Sequence, residues 1–167
     1  MERYLLDTSA YGVLVDEQEK DYGIVKNIIE YAKKNRDKFV TTFIIANELD
    51  AEKLDERIKE VILPVYYLTV SGTSPVLEIA YAEEYQRVKK LAWKYIQKLR
   101  KKEADKVMHD ALNYAWVSVA RIDIFVTRNR RGILAEKYRH ILRRSNRKMG
   151  LKFVKIMSPT EFYEILV

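Results

Sequence analysis

Asp7, Glu48, Asp110 and Asn129 each stand beside a short apolar run, and together they span most of the chain. Asp7 ends Tyr4-Leu5-Leu6, and Glu48 follows Phe43-Ile44-Ile45-Ala46. Asp110 opens Asp110-Ala111-Leu112, and Asn129 closes Ile124-Phe125-Val126-Thr127-Arg128-Asn129. Carboxylates carried to the C-terminal ends of parallel strands meet in one crevice. Converging carboxylates bind hard divalent cations, and such a cation activates water for attack on a phosphodiester. The hydroxyls of Thr8, Ser9 and Thr127 lie next to these acids, where they could hold a carboxylate or a metal-bound water; local capping is an equal reading of them. Asp105 is the alternative acid near Asp110. Asp123 begins its strand and so belongs to the opposite end.

These positions need a scaffold, and composition bounds it. The chain has 167 residues, 48% hydrophobic and 33% charged, which fits one ordinary domain. No stretch approaches the roughly 18 apolar residues of a membrane helix. Met1-Glu2-Arg3 is charged too early for a signal peptide, so a cytoplasmic protein without a membrane partner is expected. There is no cysteine, and the only histidines are His109 and His140, both expected at the surface. Thiolate metal sites are thereby excluded and a His-rich zinc site is disfavoured, and oxygen ligands favour magnesium or manganese. Residues 1–85 carry a net charge of −7 and residues 86–167 one of +14. A basic half beside a cluster of acids suits a polyanion held next to a metal. A heavily charged surface of the heat-stable kind is the other reading.

The pattern alternates strand and helix. Leu5-Leu6 predicts a buried strand, and Gly23–Lys34 a helix with Ile24, Ile28 and Tyr31 on one face. Lys38–Thr41 predicts a strand, after which Thr42 can cap a helix running to about Ile62. Pro64–Val70 reads as extended or loop. Between Pro75 and Arg121 there is no Gly or Pro, so residues 75–106 form a basic helical segment, with a break near Glu103–Lys106 and Asp105 as cap. Met108, Ala111, Leu112, Ala115 and Val119 then make a helical stripe. Trp93 and Trp116 read as core. Ile124–Thr127 is a strand, Ile133 to about Arg147 a helix and Leu151–Met157 a strand. Ser158-Pro159-Thr160-Glu161 is a capping box with proline at the first helical position. The expected fold is α/β, a mostly parallel central sheet flanked by helices.

Four motifs in this order resemble a PIN domain nuclease over almost the whole chain: Leu5-Leu6-Asp7-Thr8-Ser9, Ile45-Ala46-Asn47-Glu48-Leu49, Asp110-Ala111-Leu112, and Thr127-Arg128-Asn129, which begins 17 residues after Asp110. Ile156–Phe162 resembles the family's last strand and helix. The resemblance implies a single PIN-like domain over residues 1–167 and metal-dependent RNA cleavage, with Asp7, Glu48 and Asp110 as metal ligands and Asn129 as fourth catalytic position. Many members carry aspartate there; others have Thr-Arg-Asn as here. Val117 stands where a small residue is common. The family's best-populated prokaryotic branch is the VapC-type toxin, which implies a small antitoxin partner and a homodimer. The stretch Arg87–Lys106 is longer than in compact toxins.

On this reading Asp7, Glu48 and Asp110 hold one or two Mg2+ or Mn2+ ions, mostly through water. In-line attack leaves a 5′-phosphate and a 3′-hydroxyl. Arg128, Arg130 and Arg131 directly follow the site strand and are candidates to grip phosphate. Arg143 and Arg147, within the basic run from Lys137 to Lys148, could follow the RNA backbone; a solvated helix face is the bland reading of that run. Asn129 keeps a second reading open, a non-catalytic RNA-binding or assembly module. A phosphotransfer domain ranks last, because Ser9 occupies the place of its second acid and no glycine-rich phosphate loop is present.

Overall fold

The computed structural model describes residues 1–70, 76–77 and 82–167. Tyr4–Leu6 (β1), Phe39–Thr42 (β2) and Ile124–Val126 (β4) are buried at every position. Continuous apolar runs of this kind mark parallel strands covered on both faces. With Lys155–Met157 (β5) they form an all-parallel central sheet in the order β2-β1-β4-β5, and Val76–Leu77 (β3) adds to the β2 edge. Leu5 stands opposite Val40 on one side and Phe125 on the other. The α/β architecture expected from the alternating pattern is therefore present.

Thr8–Tyr11 (α1) follows β1 directly. In Tyr22–Lys34 (α2) the buried residues are Val25, Ile28, Ile29 and Ala32. The helix is thus turned by about one residue from the expected face, and Ile24 and Tyr31 lie at its margin. Phe43–Leu49 (α3) opens on Thr42, whose hydroxyl accepts from the Ile45 amide at 3.1 Å. The long helix expected to reach Ile62 stops at Leu49. A second helix, Glu56–Val70 (α4), restarts where Asp55 Oδ1 accepts from the Arg57 amide at 2.8 Å. This helix runs through Pro64, expected to lie in a loop. Pro64 is exposed, so the carbonyl it leaves unpaired one turn back can face water.

Ala82–Ile96 (α5) and Lys101–Val119 (α6) pack against each other as a hairpin. The break falls at residues 97–100 rather than at Glu103–Lys106, and Asp105 is an exposed interior residue of α6. Of the segment 75–106 expected to be helical, residues 76–77 form a strand; residues 75 and 78–81 lie outside the described residues. Trp116 is buried, but Trp93, expected in the core, is 62% exposed. After β4 come short 3-10 turns at Gly132–Leu134 and Glu136–Tyr138 before Arg139–Lys148 (α7), in place of one helix from Ile133. Pro159–Leu166 (α8) begins with the expected capping box between Ser158 and Glu161. No helix among the described residues is long and apolar enough to cross a membrane.

Candidate active site

The C-terminal edge of the sheet carries the site. Asp7 is the first residue past β1, and its amide donates to the Val126 carbonyl at 2.9 Å, locking the end of β1 to that of β4. Thr127 follows β4 and is likewise tied to β5, donating its amide to Met157 at 2.9 Å. Asp7 Oδ2 accepts from Ser9 Oγ at 2.8 Å and from Thr127 Oγ1 at 2.8 Å. Ser9 Oγ in turn accepts from the Arg128 amide at 3.0 Å, and Thr127 Oγ1 accepts from the Asn129 amide at 2.9 Å. The Asn129 side chain then donates to Asp110 Oδ2 at 3.1 Å. One chain of hydrogen bonds therefore joins Asp7 to Asp110, 103 residues further along.

Glu48 reaches the same place from α3, accepting from Thr8 Oγ1. It lies in the last turn of its helix, and Asp110 lies in the third turn of α6. Asn113, one turn beyond Asp110, accepts from Thr42 Oγ1 at 2.6 Å and is buried. This contact pins α6 to the start of α3, and so sets the helix bearing Asp110 against the helix bearing Glu48.

The electrostatics are those of crowded negative charge. Asp7 is 5% exposed. Burial holds its carboxyl above the ordinary range, the Glu48 charge adding to this while the Thr127 and Ser9 hydroxyls oppose it. Burial, then the charges of Asp7 and Glu48, push Asp110 up to about 6. Among the described residues no lysine or arginine pairs with any of the three acids. His109 lies against them, with its Nδ1 3.3 Å from Glu48 Oε1.

A divalent cation fits this donor set: three carboxylates, with Asp7 and Asp110 held above the ordinary range and, among the described residues, no lysine or arginine paired to any of them. Among the described residues no three His, Asp or Glu side chains form a ready-made cage. Magnesium does not need one, because it keeps several waters and takes one or two carboxylates directly.

No family model, curated protein or solved structure matches the chain. The site therefore stands on its own geometry and on the motifs read from the sequence.

The seven positions singled out around the acids, Asp7, Thr8, Ser9, Glu48, Asp110, Thr127 and Asn129, come together. The basic residues divide. Arg128 is engaged by Glu19 at 3.2 Å and Asp21 at 3.3 Å, and Arg130 by Glu161 at 3.1 Å. Arg131 is exposed on the loop, its amide donating to Asn129 Oδ1 at 3.3 Å. Arg143 and Arg147 lie exposed on α7. Sequence reasoning left His109 at the bare surface and gave Asn113 no role. His109 is largely exposed, as expected, but it adjoins Asp110 in sequence and Glu48 in space. The signal for Asn113 was present: an amide beside Leu112 and Tyr114 in an apolar stretch needs a buried partner.

Proposed function

We propose that the protein is a magnesium- or manganese-dependent ribonuclease whose carboxylates Asp7, Glu48 and Asp110 hold the metal. The observation that carries this reading is the hydrogen-bonded chain Asp7–Thr127–Asn129–Asp110, which orders acids from distant parts of the chain around one uncompensated negative centre. When bound, the ion lowers the pKa of a coordinated water and offsets phosphate charge. Ser9 and Thr127 fix the Asp7 carboxylate in one orientation by donating to the same oxygen. Thr8 orients Glu48. Asn129 donates to Asp110 and serves as a positioning residue on this reading, so that aspartate is not required there. His109, beside Glu48 and open to solvent, would meet the substrate at the edge of the acids. A toxin role, its antitoxin partner and a homodimer rest on the resemblance alone.

The test is cleavage of single-stranded RNA with manganese, with EDTA and Asp7→Asn as controls. Asn can still accept from Ser9 and Thr127, so the fold should survive while cleavage falls to background. Full activity in the folded variant would refute the assignment. RNA binding without metal-dependent cleavage would favour the non-catalytic module.

A further inference from the structure

α7 is unusually cationic and uses one side for it. On the helical wheel Leu142, Ser145 and Asn146 face the core, whereas Arg143, Arg144, Arg147 and Lys148 are exposed on the other side, and half-buried Arg139 lies at the boundary next to Asn146. Arg139, Arg143 and Arg147 recur every four residues, about 6 Å apart along the axis. No large apolar side chain of α7 is exposed.

Beside this face a groove of about 290 Å³ runs between α7 and the edge strand β5, lined by Arg130, Arg139, Arg143, Phe153, Lys155 and Met157 among others. Arg143 is held in place with its guanidinium 4.5 Å above the Phe153 ring, a stacking that leaves its N–H edges free to fork onto an anion. Arg139 Nε is buried without an acceptor. Among the described residues none of Arg139, Arg143, Arg144, Arg147, Lys148 and Lys155 forms an ion pair. Only Arg130 is neutralised, by Glu161. One end of the groove lies beside the segment that carries Thr127 and Asn129: Arg130 follows Asn129, and the Met157 carbonyl holds the Thr127 amide.

We propose that this groove and the outer face of α7 bind the phosphate backbone of single-stranded RNA and lead it into the carboxylate site. The identity of the strand rests on the nuclease reading. The geometry favours a backbone over a membrane surface, because the cations line a groove and the helix offers no apolar side chain for insertion. It moves phosphate recognition away from Arg128 and Arg130, which are already engaged by acids, to Arg139, Arg143 and Lys155. Recognition through phosphates is independent of base sequence.

The experiment is fluorescence anisotropy of a labelled ten-residue oligouridylate, in EDTA so that binding is read without cleavage. Wild type is compared with the triple variant Arg139→Gln, Arg143→Gln, Lys155→Gln. A second triple, Arg144→Gln, Arg147→Gln, Lys148→Gln, is wholly exposed and guards against misfolding. A control, Lys26→Gln, Lys33→Gln, Lys34→Gln, removes equal charge from α2, which does not line the groove. Three lost phosphate contacts should lower the salt slope by about 2 and weaken binding about 100-fold at 0.1 M salt. The exposed α7 triple should shift the same way and the control by less than about threefold. An unchanged groove variant, equal losses in groove and control, or equally tight binding of wild type to phosphatidylserine vesicles would overturn the proposal. Binding as described without manganese-dependent cleavage would instead refute the nuclease reading.

Discussion

The crowding of Asp110 has a measurable cost in metal-free protein. Its carboxyl is raised from 3.8 to about 6 by burial and by Asp7 and Glu48. The native state therefore keeps a proton that the unfolded chain has lost between about pH 4 and 6, so stability falls as pH rises through that window. The full rise would correspond to roughly 3 kcal/mol, and because Asp110 is only partly buried, solvent screening reduces this to about 2 kcal/mol. Asp110→Asn removes the charge and retains an acceptor for the Asn129 amide. In EDTA at pH 7.5, urea unfolding should show this variant more stable than wild type by about 2 kcal/mol. At pH 4 the difference should shrink toward zero. Manganese at neutral pH should stabilise wild type more than the variant, reversing the order at high metal concentration. A variant less stable than wild type at pH 7.5 without metal would show that the three acids are not mutually repelling. A gap equally large at pH 4 would show that the effect is packing and not charge.

Further outcomes follow from neighbouring contacts. Thr127→Val removes a hydroxyl from Asp7 and should weaken manganese binding by about 10–100-fold in calorimetry. Gly132 has φ +56°, and an added Cβ would lie 2.6 Å from Val107 Cγ1. Gly132→Ala should therefore cost about 1–3 kcal/mol in thermal or urea unfolding. Val107→Ala in the same chain should return part of that loss, and a strictly additive pair would place the strain in the backbone alone. Thr42→Val removes the cap of α3 and the partner of Asn113, costing about 1–2 kcal/mol, with Glu48 less well placed for metal.

The parts legible in the sequence are those where local chemistry and tertiary demand agree. Leu5-Leu6 and Ile124–Val126 read as strands because both faces are buried, and Ser158–Glu161 carries its cap in its own side chains. The acids were legible because each closes or adjoins an apolar run. Helix boundaries failed where packing decided. Gln97-Lys98-Leu99-Arg100 contains good helix formers, yet the chain reverses there so that α6 can lie along α5. Pro64 suggested a break that its exposed side of α4 does not require. The roles of Arg128 and Arg130 depended on acids 109 and 31 residues away, which spacing does not reveal.

The central place of β1 has a consequence for timing during synthesis. Its partner β4 is made 120 residues later, with Tyr4 opposite Ile124. At roughly 5–20 residues per second, the ribosome extends the chain for about 6–24 s between the two strands. Until then Asp7 has neither the Val126 carbonyl nor the Thr127 hydroxyl that hold it in place. On the nuclease reading, a nascent chain cannot complete its active site before residues 124–129 have emerged, because Thr127 and Asn129 close the hydrogen-bonded link from Asp7 to Asp110.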